Sequence, residues 1–313
     1  MTVAVRPSLL ARCRRSASEL TVRQRTVGWV YHGLCDREVT RAVARWARDR
    51  TRGQAIQLTS LEYRHPRIPQ EADGMRLLHV SDLHLGTDGP DVEQVITVAH
   101  RAPHDLIVYT GDFLNDDTGQ SAVQQLLRDM PKGKRAFAVL GNHDYYALTR
   151  HTALNDVPQL LSSISEAGIT LLRNDAVYLR EFGLHLVGFD DPVSGRCQVD
   201  EAIVDVPDGA PTLALAHTPD VVDQLFGWQP ELLLAGHTHG GQIVLPIVGP
   251  VVRVTKAPRS IASGFHNYKD VPVYVTRGVG CSGINLRVGC APELVSITFR
   301  KSEHGVAMSE KGG

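Results

Sequence analysis

The sequence predicts an α/β domain whose sheets are covered by helices. Three observations carry this. From residue 75 to about residue 226, apolar runs of strand length alternate with segments of helical period. Beyond residue 241 the segments are mostly strand-like. Five of the apolar runs each end in residues able to ligate a metal, as though five strands delivered them to one rim.

With 313 residues and 42% hydrophobic content, the chain can bury one large core, or one core with a small appendage. A formal net charge of −1 argues against bulk attraction to nucleic acid or anionic membrane. The balance is uneven, however. Residues 1–74 hold 14 arginines, no lysine and 7 acidic residues, so about +7 there is offset by about −8 in the remainder. The five cysteines, at 13, 35, 197, 281 and 290, form no CxxC pair and no metal-type spacing. They read as reduced thiols, which fits a cytoplasmic protein. No apolar run approaches the roughly 18 residues of a membrane span. Arg14-Arg15 is followed by Ser16-Ala17-Ser18-Glu19 where an apolar stretch belongs, so no cleavable signal is read.

Residues 1–54 read as an arginine-rich helical extension, with Val39, Val43 and Trp46 as an apolar stripe beside Arg41, Arg45, Arg48 and Arg52. Two readings stand: a helix docked with a solvated basic face, or one that meets an anionic membrane surface or an acidic partner. No recognition-helix or aromatic-platform pattern points to nucleic acid. The main domain is expected over residues 55–300. It opens on an edge strand around Ile56, Leu58, Leu61 and Tyr63, ended by Pro66 and Pro69. Residues 91–102 place Val92, Val95, Ile96 and Ala99 on one helical face, and residues 121–130 and 158–167 read as further helices. Residues 177–179 and 184–187 form a strand pair joined at Gly183, and Asp220 is the expected N-cap of a helix over 221–226. Strands follow at 242–245, 271–276 and 294–299. Residues 301–313 are polar and expected to be a frayed, flexible tail.

The chemistry sits at the strand ends. Asp82-Leu83-His84 follows the apolar run 75–80, and Gly111-Asp112 follows 106–109. Gly141-Asn142-His143-Asp144 follows 136–140, His217 follows 212–216, and Gly236-His237-Thr238-His239-Gly240-Gly241 follows 231–235. In an extended segment residues i and i+2 point the same way, so Asp82 with His84, and His237 with His239, face one point. The glycines let the backbone turn sharply and approach a ligand. Asp82, His84, Asp112, Asn142, His217, His237 and His239 offer carboxylate, amide oxygen and imidazole, with no thiolate. That mix suits Mn²⁺, Fe²⁺ or Zn²⁺ and disfavours calcium, which takes oxygen alone. Seven donors exceed one tetrahedral zinc and fit two ions about 3.5–4 Å apart sharing one carboxylate.

In that order, Asp-x-His, Gly-Asp, Gly-Asn-His-Asp, a lone His and Gly-His-Thr-His resemble the calcineurin-like metallophosphoesterase superfamily over roughly residues 75–245. The segment Thr276-Arg277-Gly278-Val279-Gly280, with Gly283-Ile284, Arg287 and Ala291-Pro292-Glu293-Leu294, resembles a bacterial branch and extends the match to about residue 299. That branch includes membrane-associated phosphoesterases and enzymes cleaving UDP-2,3-diacylglucosamine. The resemblance implies an αββα sandwich of two mixed β-sheets flanked by helices. It implies that Asp82, His84 and His239 hold one metal, that Asn142, His217 and His237 hold a second, and that Asp112 bridges both. It implies that His143 faces the phosphate and leaving group, while hydroxide held by the two ions attacks phosphorus in line.

One departure from the pattern bears on catalysis. Where many members carry an Asp three residues after the bridging Asp, paired with the catalytic His, this chain has Asn115, followed by Asp116 and Asp117. Either Asn115 orients His143 without charge, or Asp116 supplies the charge. Arg277 and Arg287 are read as phosphate contacts or as structural pairs, and His79, His100, His104, His151, His185 and His266, among the other histidines, as surface or core residues. The expected function is therefore a dinuclear phosphohydrolase acting on a phosphodiester or lipid-linked diphosphate. The rivals are a phosphomonoesterase or nucleotide phosphodiesterase on the same site, and a catalytically dead interaction module. The last should have lost ligands, and all seven are present.

Overall fold

The structure, a computed structural model, describes residues 55–131, 135–146, 158–245, 249–252, 254–303 and 305–310. The expected helix within 1–54 and His151 lie outside the described residues. In chain order the elements are β1 Gln57–His65, β2 Arg76–Val80, α1 Val92–Arg101, β3 Leu106–Thr110, α2 Gln120–Asp129, β4 Arg135–Val139 and α3 Asn142–Tyr146. Then come α4 Pro158–Glu166, β5 Thr170–Leu171, β6 Asp175–Leu179, β7 Leu184–Gly188, α5 Val199–Ile203, β8 Thr212–Leu215 and β9 Leu232–Ala235. The chain continues with β10 Val244–Leu245, β11 Gly249–Pro250, β12 Gly264–Tyr268, β13 Val271–Val275, β14 Glu293–Lys301 and β15 Ala307–Glu310.

Apart from the short pair β10-β11, these make two mixed sheets, ordered β15-β1-β14-β2-β3-β4-β5 and β12-β13-β9-β8-β7-β6. Strand periodicity explains how they stack, because alternate residues leave opposite faces. Leu77, Leu106, Val108, Phe137 and Ile297 of the first sheet meet Leu186, Leu213, Leu215, Leu232 and Leu234 of the second in one buried cluster. Their neighbours Leu78, Ile107 and Ala138 turn outward onto Val95, Val123, Leu126 and Leu160 of α1, α2 and α4. On the far face, Val187, Ala214, Leu233 and Val273 pack against Val199 and Ala202 of α5 and against Val221. The result is helix, sheet, sheet, helix, as expected. No helix among the described residues is long and apolar enough to cross a membrane.

Four local expectations are corrected. β1 is not an edge strand: it pairs parallel with β14 on one side and antiparallel with β15 on the other. The tail is therefore not wholly frayed, since Tyr63, fully buried, needs its outer neighbour and finds it at Met308. The cap after β8 is Thr218, not Asp220, because Pro219 starts a 3₁₀ turn one residue earlier. The Asp220 carboxylate instead accepts the backbone N–H groups of Lys256 and Ala257, at 2.9 and 3.0 Å. Finally, only Val244–Leu245 of the run 242–245 is strand, because Gln242 takes a left-handed φ of 52°.

Candidate metal centre

β2, β3 and β4 are adjacent in the first sheet, and β8 and β9 in the second. Their C-terminal ends open on the same rim, where ligands of α/β sheets are expected. The turns that follow are not extended. Asp82, His84, Asp112, His237 and His239 have φ of 52, 44, 55, 70 and 51°. Neither Asp82 with His84 nor His237 with His239 lies on extended chain, as the i, i+2 expectation required. Left-handed residues, not strand pleat, turn both pairs inward. Space is correspondingly tight, and a Cβ on Gly141 would run into the Asp112 carboxylate and the His217 ring. Only glycine lets these two turns close on each other.

The side chains form two linked groups. In the first, His239 Nε2 lies 3.5 Å from Asp82 Oδ1 and 3.1 Å from His84 Nε2. In the second, His237 Nδ1 lies 3.1 Å from His217 Nε2. Asp112 Oδ2 stands between them, 3.3 Å from His84 Nε2 and 3.1 Å from His217 Nε2. The far nitrogens of His217 and His237 are held as ligating histidines require, while that of His84 is buried without a partner. His217 Nδ1 meets the Thr110 carbonyl at 2.7 Å, and His237 Nε2 meets that of Val254 at 3.2 Å. The clustered Asp and His atoms suit metal ions, and His143 also falls within ligand distance of His84 and Asp112. Asp82 Oδ2 and Asn142 Oδ1 are buried without any hydrogen-bond partner. Buried oxygens left so are costly unless a cation takes them. The donor set therefore fits two divalent ions.

Charge supports this. Burial works to raise the Asp112 carboxyl, but the charges of His217 and His143 and bonds from His217 and His84 outweigh it and hold it well below its usual range. Burial lowers His237, with His217 adding to the effect. Burial, then the His84 and Arg287 charges, puts His239 well below an ordinary histidine. The anionic Asp112 carboxylate is the ligating form, whereas His217, which burial lowers but the Asp112 charge raises to about 10, would have to give up its proton to a metal.

Asp144 is a site residue that sequence reasoning passed over, although it ends the Gly-Asn-His-Asp motif. Its buried carboxylate accepts backbone N–H bonds from Asp112 (2.9 Å), Phe113 (2.8 Å), Leu114 (3.2 Å) and Gly141 (2.9 Å). It ties the turn after β3 to the turn after β4. Burial, with the nearby Asp112 charge, pushes it up to about 7.

His143 stands edge-on to His84, ring centroids 4.6 Å apart, and its backbone N–H donates to Asp112 Oδ1 at 2.8 Å. Burial lowers its pKa, with the Asp112 charge opposing. Neither expected partner supports its ring. Asp116 is engaged with the backbone N–H groups of Thr87 and Thr118, at 3.3 and 3.0 Å. The Asn115 N–H bonds the Leu85 carbonyl, and no hydrogen bond joins its amide to His143. The ring nitrogen Nε2 instead meets the Ser282 hydroxyl at 3.4 Å. Arg277 and Arg287 resolve as structural: Arg277 pairs with Glu293, and Arg287 is buried among backbone carbonyls.

The model of the calcineurin-like phosphoesterase family matches residues 75–241. The chain is 31% identical over 233 residues to YkoQ of Bacillus subtilis, an uncharacterized metallophosphoesterase, covering 72% of this chain and 83% of that one. It is 32% identical over 230 residues to the phosphodiesterase YaeI of Escherichia coli, covering 71% and 81%. It is 25% identical over 235 residues to the UDP-2,3-diacylglucosamine pyrophosphatase LpxG of Chlamydia muridarum, covering 61% and 71%.

Proposed function

The chain belongs to the calcineurin-like phosphoesterase family, and from that premise we propose that it hydrolyses a phosphodiester or a lipid-linked diphosphate at two divalent metal ions. In this reading Asp82, His84 and His239 hold one ion, Asn142, His217 and His237 the other, and Asp112 serves both. The observation that carries it is the single carboxylate oxygen, Asp112 Oδ2, within 3.3 Å of one group and 3.1 Å of the other. Divalent ions held there, manganese being the first to try, would supply an activated water at neutral pH and offset charge on the phosphoryl oxygens. The protein's own part is positioning. Asp144 fixes the two turns, and the Thr110 and Val254 carbonyls orient His217 and His237. His143 stands at the edge of the site to pass a proton to the departing oxygen. The names of YaeI and LpxG favour a diester or diphosphate over a monoester or nucleotide substrate.

The test is hydrolysis of bis-p-nitrophenyl phosphate, p-nitrophenyl phosphate, a nucleotide and a diacyl sugar diphosphate in Mn²⁺, beside metal analysis. Two ions per chain and turnover of a diester or diphosphate are expected. Asp112→Asn should weaken both ions together and abolish turnover. Loss of one ion with the other site intact would contradict the shared carboxylate.

A further inference from the structure

Arg287 is 3% exposed and lies under the double-histidine turn. Its Nη1 donates to the His239 carbonyl at 3.4 Å, and its Nη2 reaches His239 Nδ1 at 3.3 Å. The same guanidinium donates from Nη2 to the Arg277 carbonyl at 2.8 Å and from Nε to the Gly280 carbonyl at 3.1 Å. The backbone of Gly280 in turn bonds the Asp82 carbonyl at 2.6 Å, and Val279 bonds that of Ser81 at 3.1 Å. Gly280 also packs tightly on His84, for a Cβ there would come within 2.9 Å of the His84 Cβ. One buried cation thus ties His239, which follows β9 of the second sheet, to the Asp82–His84 turn, which follows β2 of the first.

The other group is held differently. His217 and His237 lean on the Thr110 and Val254 carbonyls, whereas the Arg287 bonds above go to His239, Arg277 and Gly280. A guanidinium suits the task because its planar fork spans several acceptors at fixed angles, which an ammonium does not.

From this geometry we infer that Arg287 is a positioning residue for one metal site alone, the one formed by Asp82, His84 and His239. It holds the His239 backbone through its carbonyl and keeps the two sheet rims in register there. The inference rests on the two-ion reading above and goes beyond it by making the two sites separable through a residue that ligates neither.

The experiment is calorimetric titration of Mn²⁺ into the chelator-stripped full-length chain. Wild type should take two ions; fewer would overturn the two-ion reading itself, before any variant is compared. Arg287→Met should weaken one ion about 10–100-fold, as loss of an outer partner of a ligand does, and leave the other unchanged. His239→Asn should lose that same ion, His237→Asn the other, and Arg287→Met added to His239→Asn should cost nothing more on the remaining ion. Wild-type affinity at both sites in Arg287→Met, or equal losses at both, would overturn the inference. If Arg287→Met does not fold by circular dichroism, Arg287→Lys replaces it, with the same selective loss expected. Should neither fold, Arg287 is a general scaffold residue and the inference fails.

Discussion

Five of the seven candidate donors sit at positive φ, a conformation that costs a residue with a Cβ about 1–3 kcal/mol. The rim accepts that cost because left-handed turns let side chains from separate strands converge within hydrogen-bond distance. His143 is the residue whose role divides most sharply by experiment. If it gives a proton to the leaving oxygen, its value depends on how badly that oxygen needs one. His143→Ala should slow an alkyl phosphoester by about 10²–10⁴-fold and a p-nitrophenyl ester much less, since p-nitrophenolate is already a stable anion. Comparing kcat for the two esters at equal metal occupancy decides it. Equal losses mean that His143 stabilises the phosphoryl oxygens instead.

Among elements, β2 carries the load nearest the site. It lies between β14 and β3, and its His79 is fully buried, with Nε2 2.8 Å from the Thr110 hydroxyl and Nδ1 unpartnered. Burial lowers His79 from 6.5 to about 3. The sign follows directly: below pH 6.5 the unfolded chain binds a proton here that the folded chain refuses. This contribution is complete above pH 6.5 and is lost, at about 1.4 kcal/mol per pH unit, as pH falls towards 3. In His79→Gln the unfolding free energy from urea titrations between pH 6.5 and 5 should fall less steeply, by close to one proton. An unchanged slope would assign the acid sensitivity to other groups.

For the whole molecule, the site exists only because two sheets stack with their strand ends on one rim. Every candidate donor lies between residues 82 and 239, and none lies in the arginine-rich residues 1–54. The chain shortened to residues 55–313 should stay soluble, bind both ions and hydrolyse a small soluble ester at the full-length rate. If the first 54 residues serve a membrane, co-sedimentation with anionic liposomes should require them and weaken with added salt. A shortened chain that folds but no longer turns over the small ester would place part of the site in the extension.

What the sequence determined by itself was local. Hydrophobic period marked α1, α2, α4 and the five donor strands to within a residue or two, because each element's pattern is written in its own neighbours. The order and spacing of Asp82, His84, Asp112, Asn142, His217, His237 and His239 named a candidate donor set, because metal chemistry restricts which residues serve. Only the tertiary structure decided what depends on residues far apart in the chain. Ser282, not Asn115 or Asp116, meets the His143 ring across 139 positions. β15 covers β1, so the expected edge is interior. Arg287, open in the sequence to a phosphate contact or a structural pair, proved a buried tie, and Asp144 went from a motif residue to a four-bond staple. Such pairings have no local signature: each is set by which strands become neighbours and which turns close together when the sheets bury their shared face.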